Sequence, residues 1–563
     1  MEKRWWQEAV IYELYCKSFY DTNGDGLGDL PGVIEKLPYL KELGIDAIWF
    51  TPIYVSPQVD NGYDVADYQM IDPRYGSMDD FKRLLDTAHS MGIRVLMDLV
   101  LNHTSDEHKW FQESKKSKNN PYRDYYIWRA PKEDGSEPNN MGNYFFEDRG
   151  SAWEFDETTG EYYLHYYSKK MPDLNWECEA LREDVYKMTR FWLDMGVDGF
   201  RLDVIAQIKK PEGLPDETKA PLPNGYVMDR MARNHVPGVH ELIHGLWENA
   251  FSKYDIMTVG EISGATPKLA LQYVNHDRGE LDMNIHFQIA NRNAHVTTPR
   301  EYKAIETEWS TLMQHNGWVV QYLTNHDGAR QVSRFGNDTT YRKESAKLWA
   351  TLNLTTPGTP ILFQGEEIGM TNVQYDTIDD YNDRYTVGRY HMEVKAGADP
   401  EKTLKEIAPA SRDNARTPYQ WTDEANAGFS TGTPWLKVNK NFPEINLKKD
   451  LESPDSIFRY YKEMLAFRKK HPSIVDGAFK TFLNDDETSI IFTRACARET
   501  LLIVANTSDE CRTFEFPEEL SGSMWKKVMG NYGTYSEKQE VPTESKLYTD
   551  FKPWEVAIFS LTI

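Results

Sequence analysis

The sequence predicts an α/β fold: a (β/α)8 TIM barrel with an excursion domain after its third strand and an antiparallel β-domain at the C-terminal end. Three observations predict it. Short apolar runs recur along the first two thirds of the chain and end in polar or acidic residues, stretches with helical spacing separate them, and the last part of the chain changes to period two.

The apolar runs cover residues 9–15, 45–52, 94–102, 199–204, 255–261, 281–287, 318–327 and 359–366. Eight such strands are what a closed barrel needs. Between the second and third, Ser77-Met78-Asp79-Asp80 leads into Phe81, Leu84, Leu85 and Ala88, which predicts a Ser-capped amphipathic helix ending at Gly92. The connection between the third and fourth strands, rich in Trp, Tyr, Asn, Asp and Gly, is too long for a simple crossover. Residues 104–173 are therefore assigned to the excursion domain, and 1–103 with 174–480 to the barrel. After the eighth strand, 371–446 reads as an irregular charged segment and 456–470 as a helix. Runs at 488–495, 500–506, 513–516 and 556–563 alternate like antiparallel strands, so 481–563 is expected to form a C-terminal β-sandwich domain.

Composition limits the function. Among 563 residues, 88 Asp and Glu against 64 Lys and Arg give a formal charge of −24, which repels nucleic-acid phosphates and anionic lipid headgroups. Neither nucleic acid nor membrane is expected as a partner. The opening Met1-Glu2-Lys3-Arg4-Trp5-Trp6 lacks the apolar core of a secretion signal, and no apolar run approaches the roughly 18 residues of a membrane span. A cytoplasmic monomer is the expectation. Cys16, Cys178, Cys496 and Cys511 show no metal or disulfide spacing, although a Cys496–Cys511 pair would be feasible on neighbouring strands.

Catalytic groups of such barrels sit at the C-terminal ends of strands. Here the third run ends Asp98-Leu99-Val100-Leu101-Asn102-His103, the fourth reads Gly199-Phe200-Arg201-Leu202-Asp203-Val204, the fifth ends Val259-Gly260-Glu261, and the seventh ends Thr324-Asn325-His326-Asp327. One acid at a strand end is commonly only a helix cap. Four in the same register, with two His and one Arg, point to a catalytic constellation.

On these motifs the chain resembles the α-amylase superfamily of glycoside hydrolases, and more closely its oligo-1,6-glucosidase and α-glucosidase branch. The resemblance runs nearly end to end. It includes Asp60-Asn61-Gly62-Tyr63-Asp64, Met171-Pro172-Asp173-Leu174-Asn175, Gly365-Glu366-Glu367-Ile368-Gly369-Met370 and Arg412-Asp413-Asn414-Ala415-Arg416-Thr417-Pro418. It implies a retaining mechanism with Asp203 as nucleophile, Glu261 as general acid/base and Asp327 as transition-state stabiliser. Arg201, on the same strand face as Asp203, is expected to hold the nucleophile ionised and oriented, and Asp98 to orient Arg201 or its loop. Glu261 is expected to have a raised pKa until the nucleophile is occupied.

The resemblance further implies that His103, His326 and Tyr63 line the glucose pocket. Asp60 and Arg412 would bind the far hydroxyls of a terminal glucose and so enforce exo action, with Arg416 shaping the pocket. Val204, directly after the nucleophile, goes with α-1,6 preference in this branch. The expected substrate is a small oligosaccharide such as isomaltose, cut from its non-reducing end.

Asp21-Thr22-Asn23-Gly24-Asp25-Gly26-Leu27-Gly28-Asp29 puts oxygen donors at alternate positions of a Gly-rich turn, as a hard cation needs. Gly32 stands where an EF-hand would close with Glu. The resemblance implies a structural Ca2+ or Mg2+ on the side chains of Asp21, Asn23, Asp25 and Asp29 and the carbonyl of Leu27. No organic cofactor is expected.

Several stretches depart from the family pattern: Tyr15-Cys16-Lys17-Ser18, the loop 141–149, Asp327-Gly328-Ala329-Arg330, and 288–300. They leave open the sugar beyond the cleaved bond, and with it three competing readings. A sucrose isomerase or transglucosidase would use the same site, but the Arg-Leu-Asp-Arg-Asp stretch of the isomerases does not follow Asp327. A phosphotrehalose hydrolase is favoured by the segment 54–60 and opposed by 288–300, which lacks those enzymes' Lys-containing run. A non-catalytic transporter heavy chain shares the fold, but carries a membrane anchor and can lack the acids kept here.

Overall fold

The computed structural model describes residues 3–147, 150–290, 297–515, 517–520, 524–533, 540–541 and 548–562. Among them, eight parallel strands form the barrel: β1 (Ile11–Leu14), β2 (Ala47–Phe50), β3 (Arg94–Val100), β4 (Gly199–Asp203), β5 (Met257–Glu261), β6 (Met283–Ile285), β7 (Val320–Gln321) and β8 (Thr359–Phe363). The spatial order is β6-β5-β4-β3-β2-β1-β8-β7. A parallel bridge from Asn284 to Val319 joins the two ends and closes the ring.

Both strand faces are buried, and period-two alternation sorts them. Tyr12, Leu14, Ile48 and Phe50 face the surrounding helices, whereas Ile11, Ala47, Trp49, Leu96, Val259 and Ile285 fill the barrel interior. The helix over Met78–Ser90 starts as expected at Ser77, whose hydroxyl accepts from the Asp80 amide while Asp80 reaches back to the Ser77 amide.

The seventh strand is far shorter than the apolar run at 318–327. Asn325 Oδ1 accepts from the Asp327 amide at 3.0 Å and Thr324 Oγ1 donates to the Ala329 carbonyl at 2.5 Å, so local turns replace ladder bonds after Gln321. The segment 371–446 is likewise not wholly irregular, since it holds helices Arg384–Lys395 and Pro400–Ile407. The first buries fully only Thr386, and without an apolar stripe it has no periodic signal to read.

In the excursion, strands Trp128–Arg129, Glu161–Leu164 and Trp153–Asp156 form a small antiparallel sheet. Its core of Met141, Tyr144, Trp153, Leu164 and Tyr166 also takes Leu214 from the segment after β4. Buried Arg233 joins the two segments, donating to Glu217 and to the Gly142 carbonyl.

At the C-terminal end, strands Ala478–Phe482, Ser489–Cys496, Glu499–Asn506, Val556–Thr562, Met524–Gly530 and Glu540–Val541 pair in that order, and Arg512–Glu515 pairs with Tyr548–Phe551. The first of these strands precedes the run at 488–495, with which it forms a hairpin. Two buried arginines tie this sheet and the helix Ile457–Lys470 to the end of the helix Arg342–Thr355, which lies between β7 and β8. Arg494 donates to the carbonyls of Thr355 at 2.8 Å and Gly477 at 3.0 Å, and Arg468 to those of Leu354 and Gly358, both at 2.9 Å. They satisfy carbonyls that the helix end leaves open. All four cysteines are free thiols.

Candidate active site

Asp98 on β3, Arg201 and Asp203 on β4, and Glu261 on β5 alternate with outward-facing residues and so converge inside the C-terminal mouth of the barrel. Arg201 is 2% exposed and shared by three carboxylates. Its Nη1 donates to Asp98 at 2.9 and 3.1 Å and to Asp203 Oδ1 at 2.7 Å, and its Nη2 donates to Glu261 Oε2 at 2.5 Å. Trp49 and Tyr63 flank the guanidinium.

Sharing changes the electrostatics from those expected of a guanidinium serving Asp203 alone. Burial pushes the Asp203 carboxyl well above its ordinary range; Arg201 opposes the shift, while Glu261 and Asp98 reinforce it. Burial likewise raises Asp98 to about 6 against the pull of Arg201.

Asp327, just past β7, receives Arg416 Nη2 at 2.8 Å and lies 3.5 Å from Arg412 Nη1. Arg412 continues to Asp60, with Nη2 to Oδ1 at 2.9 Å, and to Asp383, with Nε to Oδ1 at 2.5 Å. Despite burial, Arg412 and Arg416 hold Asp383 well below the usual carboxylate range. Phe145 from the excursion lies over the Arg412 guanidinium at 5.4 Å.

His326 stacks on Tyr63 with centroids 5.2 Å apart and 14° between planes. Its Nε2 is 2.7 Å from the Tyr63 hydroxyl, and its Nδ1 is 2.6 Å from Glu13 Oε1. Tyr63 donates to Asp98 Oδ2 at 2.9 Å. His103 is fully buried beside Tyr167, and burial lowers its pKa to about 4, so its ring is neutral at pH 7.

Val204 departs from its expected geometry as a strand residue. The strand ends at Asp203, and Val204 has φ 36° and ψ 39°, a left-handed conformation uncommon for a β-branched side chain. That turn aims the Val204 amide at Glu261 Oε2, 3.3 Å away.

The structure thus brings Asp60, Tyr63, Arg201, Asp203, Glu261, His326, Asp327, Arg412 and Arg416 into linked networks. Two participants were not read from sequence. Glu13 was detectable as the lone acid inside the apolar run Ile11-Tyr12-Glu13-Leu14, whereas Asp383 sits where no periodic pattern marked it. Asp148 and Arg149 of the loop 141–149, and 291–296 of the segment 288–300, lie outside the described residues.

The expected metal loop is separate from this centre. Three Asp, one Asn and a carbonyl suit a hard cation chemically. In the structure Asp21 accepts from the amides of Asn23, Gly24 and Gly26 and from Ser430 Oγ, Asn23 from Asp25, Asp25 from Leu27, and Asp29 from Thr22 and Gly32. Among the described residues no group of three or more His, Cys, Asp or Glu converges as metal ligands.

Residues 13–477 match the alpha-amylase family, catalytic domain. The chain is 46% identical to an oligo-1,6-glucosidase of Parageobacillus thermoglucosidasius and 47% identical to one of Bacillus cereus, with 100% of each chain covered in both cases. It is also similar to the crystal structure of the trehalulose synthase MutB from Pseudomonas mesoacidophila MX-45, with a TM-score of 0.93, 40% identity and 100% of both chains covered.

Proposed function

The chain belongs to the alpha-amylase family, and from that premise we propose that it is a retaining, exo-acting α-glucosidase. In this reading it releases glucose from the non-reducing end of short α-glucosides and prefers α-1,6 linkages, isomaltose and isomalto-oligosaccharides above all. The observation that carries it is the single Arg201 guanidinium bonded to Asp203 on one nitrogen and Glu261 on the other. Tethering both carboxyl groups to one planar fork suits the close spacing, roughly 5–5.5 Å, of a double displacement.

Asp203 attacks the anomeric carbon while Glu261 protonates the departing oxygen, and Glu261 then takes a proton from the water that hydrolyses the glucosyl-enzyme. Three carboxylates face one buried guanidinium, and burial raises Asp203 while Arg201 opposes the shift. Asp327, gripped by Arg416, is placed to hold sugar hydroxyls as the ring flattens. The Asp60–Arg412–Asp383 chain would close the far end of the sugar pocket in this reading, and that supports exo action on a terminal glucose.

The α-1,6 preference draws support from Val204 and from the oligo-1,6-glucosidase relatives. Sucrose isomerisation is kept as a second reading because of the likeness to a trehalulose synthase. Initial rates on isomaltose, maltose, sucrose, trehalose and trehalose 6-phosphate, with the anomer of released glucose followed by NMR, test the proposal. Isomaltose should be the best substrate and α-glucose the first product. β-Glucose as first product would overturn retention, and a better rate on sucrose or trehalose 6-phosphate would overturn the substrate.

A Ca2+ or Mg2+ in the loop 21–29 also belongs to this proposal, and rests on its donor chemistry alone. No described helix is long and apolar enough to cross a membrane. A cytoplasmic, monomeric state is proposed from composition.

A further inference from the structure

Glu13 lies on β1 between outward-facing Tyr12 and Leu14, so its carboxyl enters the barrel interior, where it is fully buried. An acid in such a place is costly without a partner. Its partner is His326: Glu13 Oε1 lies 2.6 Å from the ring Nδ1 and accepts from the His326 amide at 3.2 Å. Among the described residues, Glu13 Oε2 has no hydrogen-bond partner.

Proton counting along the chain of contacts fixes what the pair does. Tyr63 has one hydroxyl proton. Asp98, which accepts from Arg201, takes that proton's hydrogen bond at 2.9 Å. The 2.7 Å contact between Tyr63 and His326 therefore needs the proton on His326 Nε2. A histidine with a bare Nε2 would instead draw the Tyr63 proton away from Asp98. Asp98 would then lose a donor, and the chain that ends on Arg201 would run in the opposite direction.

We propose that Glu13 is a positioning residue that fixes the protonation and rotation of the His326 ring and, through Tyr63 and Asp98, the setting of Arg201 between Asp203 and Glu261. A neutral Glu13 donates to Nδ1, and an ionised one accepts from Nδ1–H. The neutral acid leaves the single ring proton on Nε2, whereas with the ionised acid Nε2 carries a proton only when the ring is doubly protonated. Burial, which raises the Glu13 pKa well above the usual range, favours the neutral acid. In that form a glutamine is a close substitute, because its amide also donates to Nδ1, whereas leucine fills the space and can do neither. This role rests on the glucosidase reading only for its effect on turnover.

The test uses the full-length protein with 15N-labelled histidine, the His326 signals being assigned by their loss in H326N. Wild type and E13Q should both show a protonated Nε2, and E13L a shift of the ring toward the other tautomer. In kinetics on isomaltose, E13L should lose on the order of 10- to 100-fold in kcat/KM, mostly in kcat, and E13Q should recover most of it. A bare Nε2 in the wild type would overturn the proposal, as would an E13L variant with wild-type tautomer and kinetics. An E13Q as impaired as E13L would overturn it too. Should E13L not fold, the wild-type tautomer and the E13Q kinetics decide. The NMR arm needs no substrate. A wild type inactive on every α-glucoside would therefore overturn the glucosidase reading and leave the Glu13 assignment to be judged by its tautomer.

Discussion

Arg412 Nη2 lies 2.9 Å from Asp60 Oδ1, and this contact joins two segments far apart in sequence; the proposed function makes it the closed end of the sugar pocket. Arg412→Ala should therefore lower kcat/KM on isomaltose by about 100-fold or more, because it removes charged donors and leaves Asp60 and Asp383 buried without their counter-ion. Arg412→Lys should recover little, since a lysine cannot reproduce the fork to both acids. Steady-state kinetics together with a melting curve for each variant check this, and near-normal kcat/KM in the alanine variant would refute the closed-end role.

Asp203→Ala should reduce kcat on the order of 10⁴-fold or more, because no glucosyl-enzyme can form. In Glu261→Gln the loss should depend on the leaving group. Aryl glucosides, which need little protonation, should suffer much less than isomaltose in the glycosylation step. Equal losses on both substrates would argue against Glu261 as the acid.

Val204→Ala should raise maltose activity at least several-fold with a smaller change on isomaltose. In the proposed reading the wild-type side chain narrows the leaving-group edge, and differences of about a methyl group are worth roughly 1–3 kcal/mol. Competition between the two disaccharides reads the ratio directly. A wild-type preference for maltose, or an unchanged ratio in the variant, would transfer linkage choice to the loops 141–149 and 288–300.

Glu306 provides a pH test of stability remote from the catalytic centre. It is buried against Gln321, which donates to one carboxyl oxygen at 3.0 Å, and burial pushes its pKa up to about 8. Unfolded, a glutamate titrates near about 4.3. Since the folded value is the higher one, its contribution to stability is fully present below about pH 4 and is lost as the pH rises through about 8. Glu306→Gln cannot ionise, so its melting temperature relative to wild type should climb between pH 5 and pH 8, by a few degrees on the order expected for a kcal/mol or more. A difference that stays flat over this interval would show that Glu306 does not titrate there.

Chelation should lower the melting temperature if the loop 21–29 holds its cation, because binding to the folded state adds stability by mass action, and Ca2+ should restore it. An unchanged curve, with elemental analysis finding no metal before chelation, would count against the site.

What could be read in the sequence follows from where side chains lie relative to backbone period. Asp203 and Glu261 were legible because each ends an apolar strand. Asp327 was legible as a residue, yet the strand before it was overestimated, since Asn325 and Thr324 capture backbone groups that a strand would have paired. Val204 is a good strand former by composition, and its left-handed turn depends on contacts at the mouth of the barrel. Asp383 caps a helix with no apolar stripe, so neither the helix nor the hold of Asp383 on Arg412 left a periodic trace.

The arginines that join the barrel to the C-terminal sheet also bear on how the chain is made. Arg494, on a strand translated late, supplies the hydrogen bond that the Thr355 carbonyl, at the end of the helix between β7 and β8, otherwise lacks. Until the strand that carries Arg494 has left the ribosome, that helix end stays without this partner, even though β1 to β8 have all been synthesised. A ribosome stalled short of the C-terminal sheet would hold a barrel that has all its strand-end carboxylates but lacks this clasp.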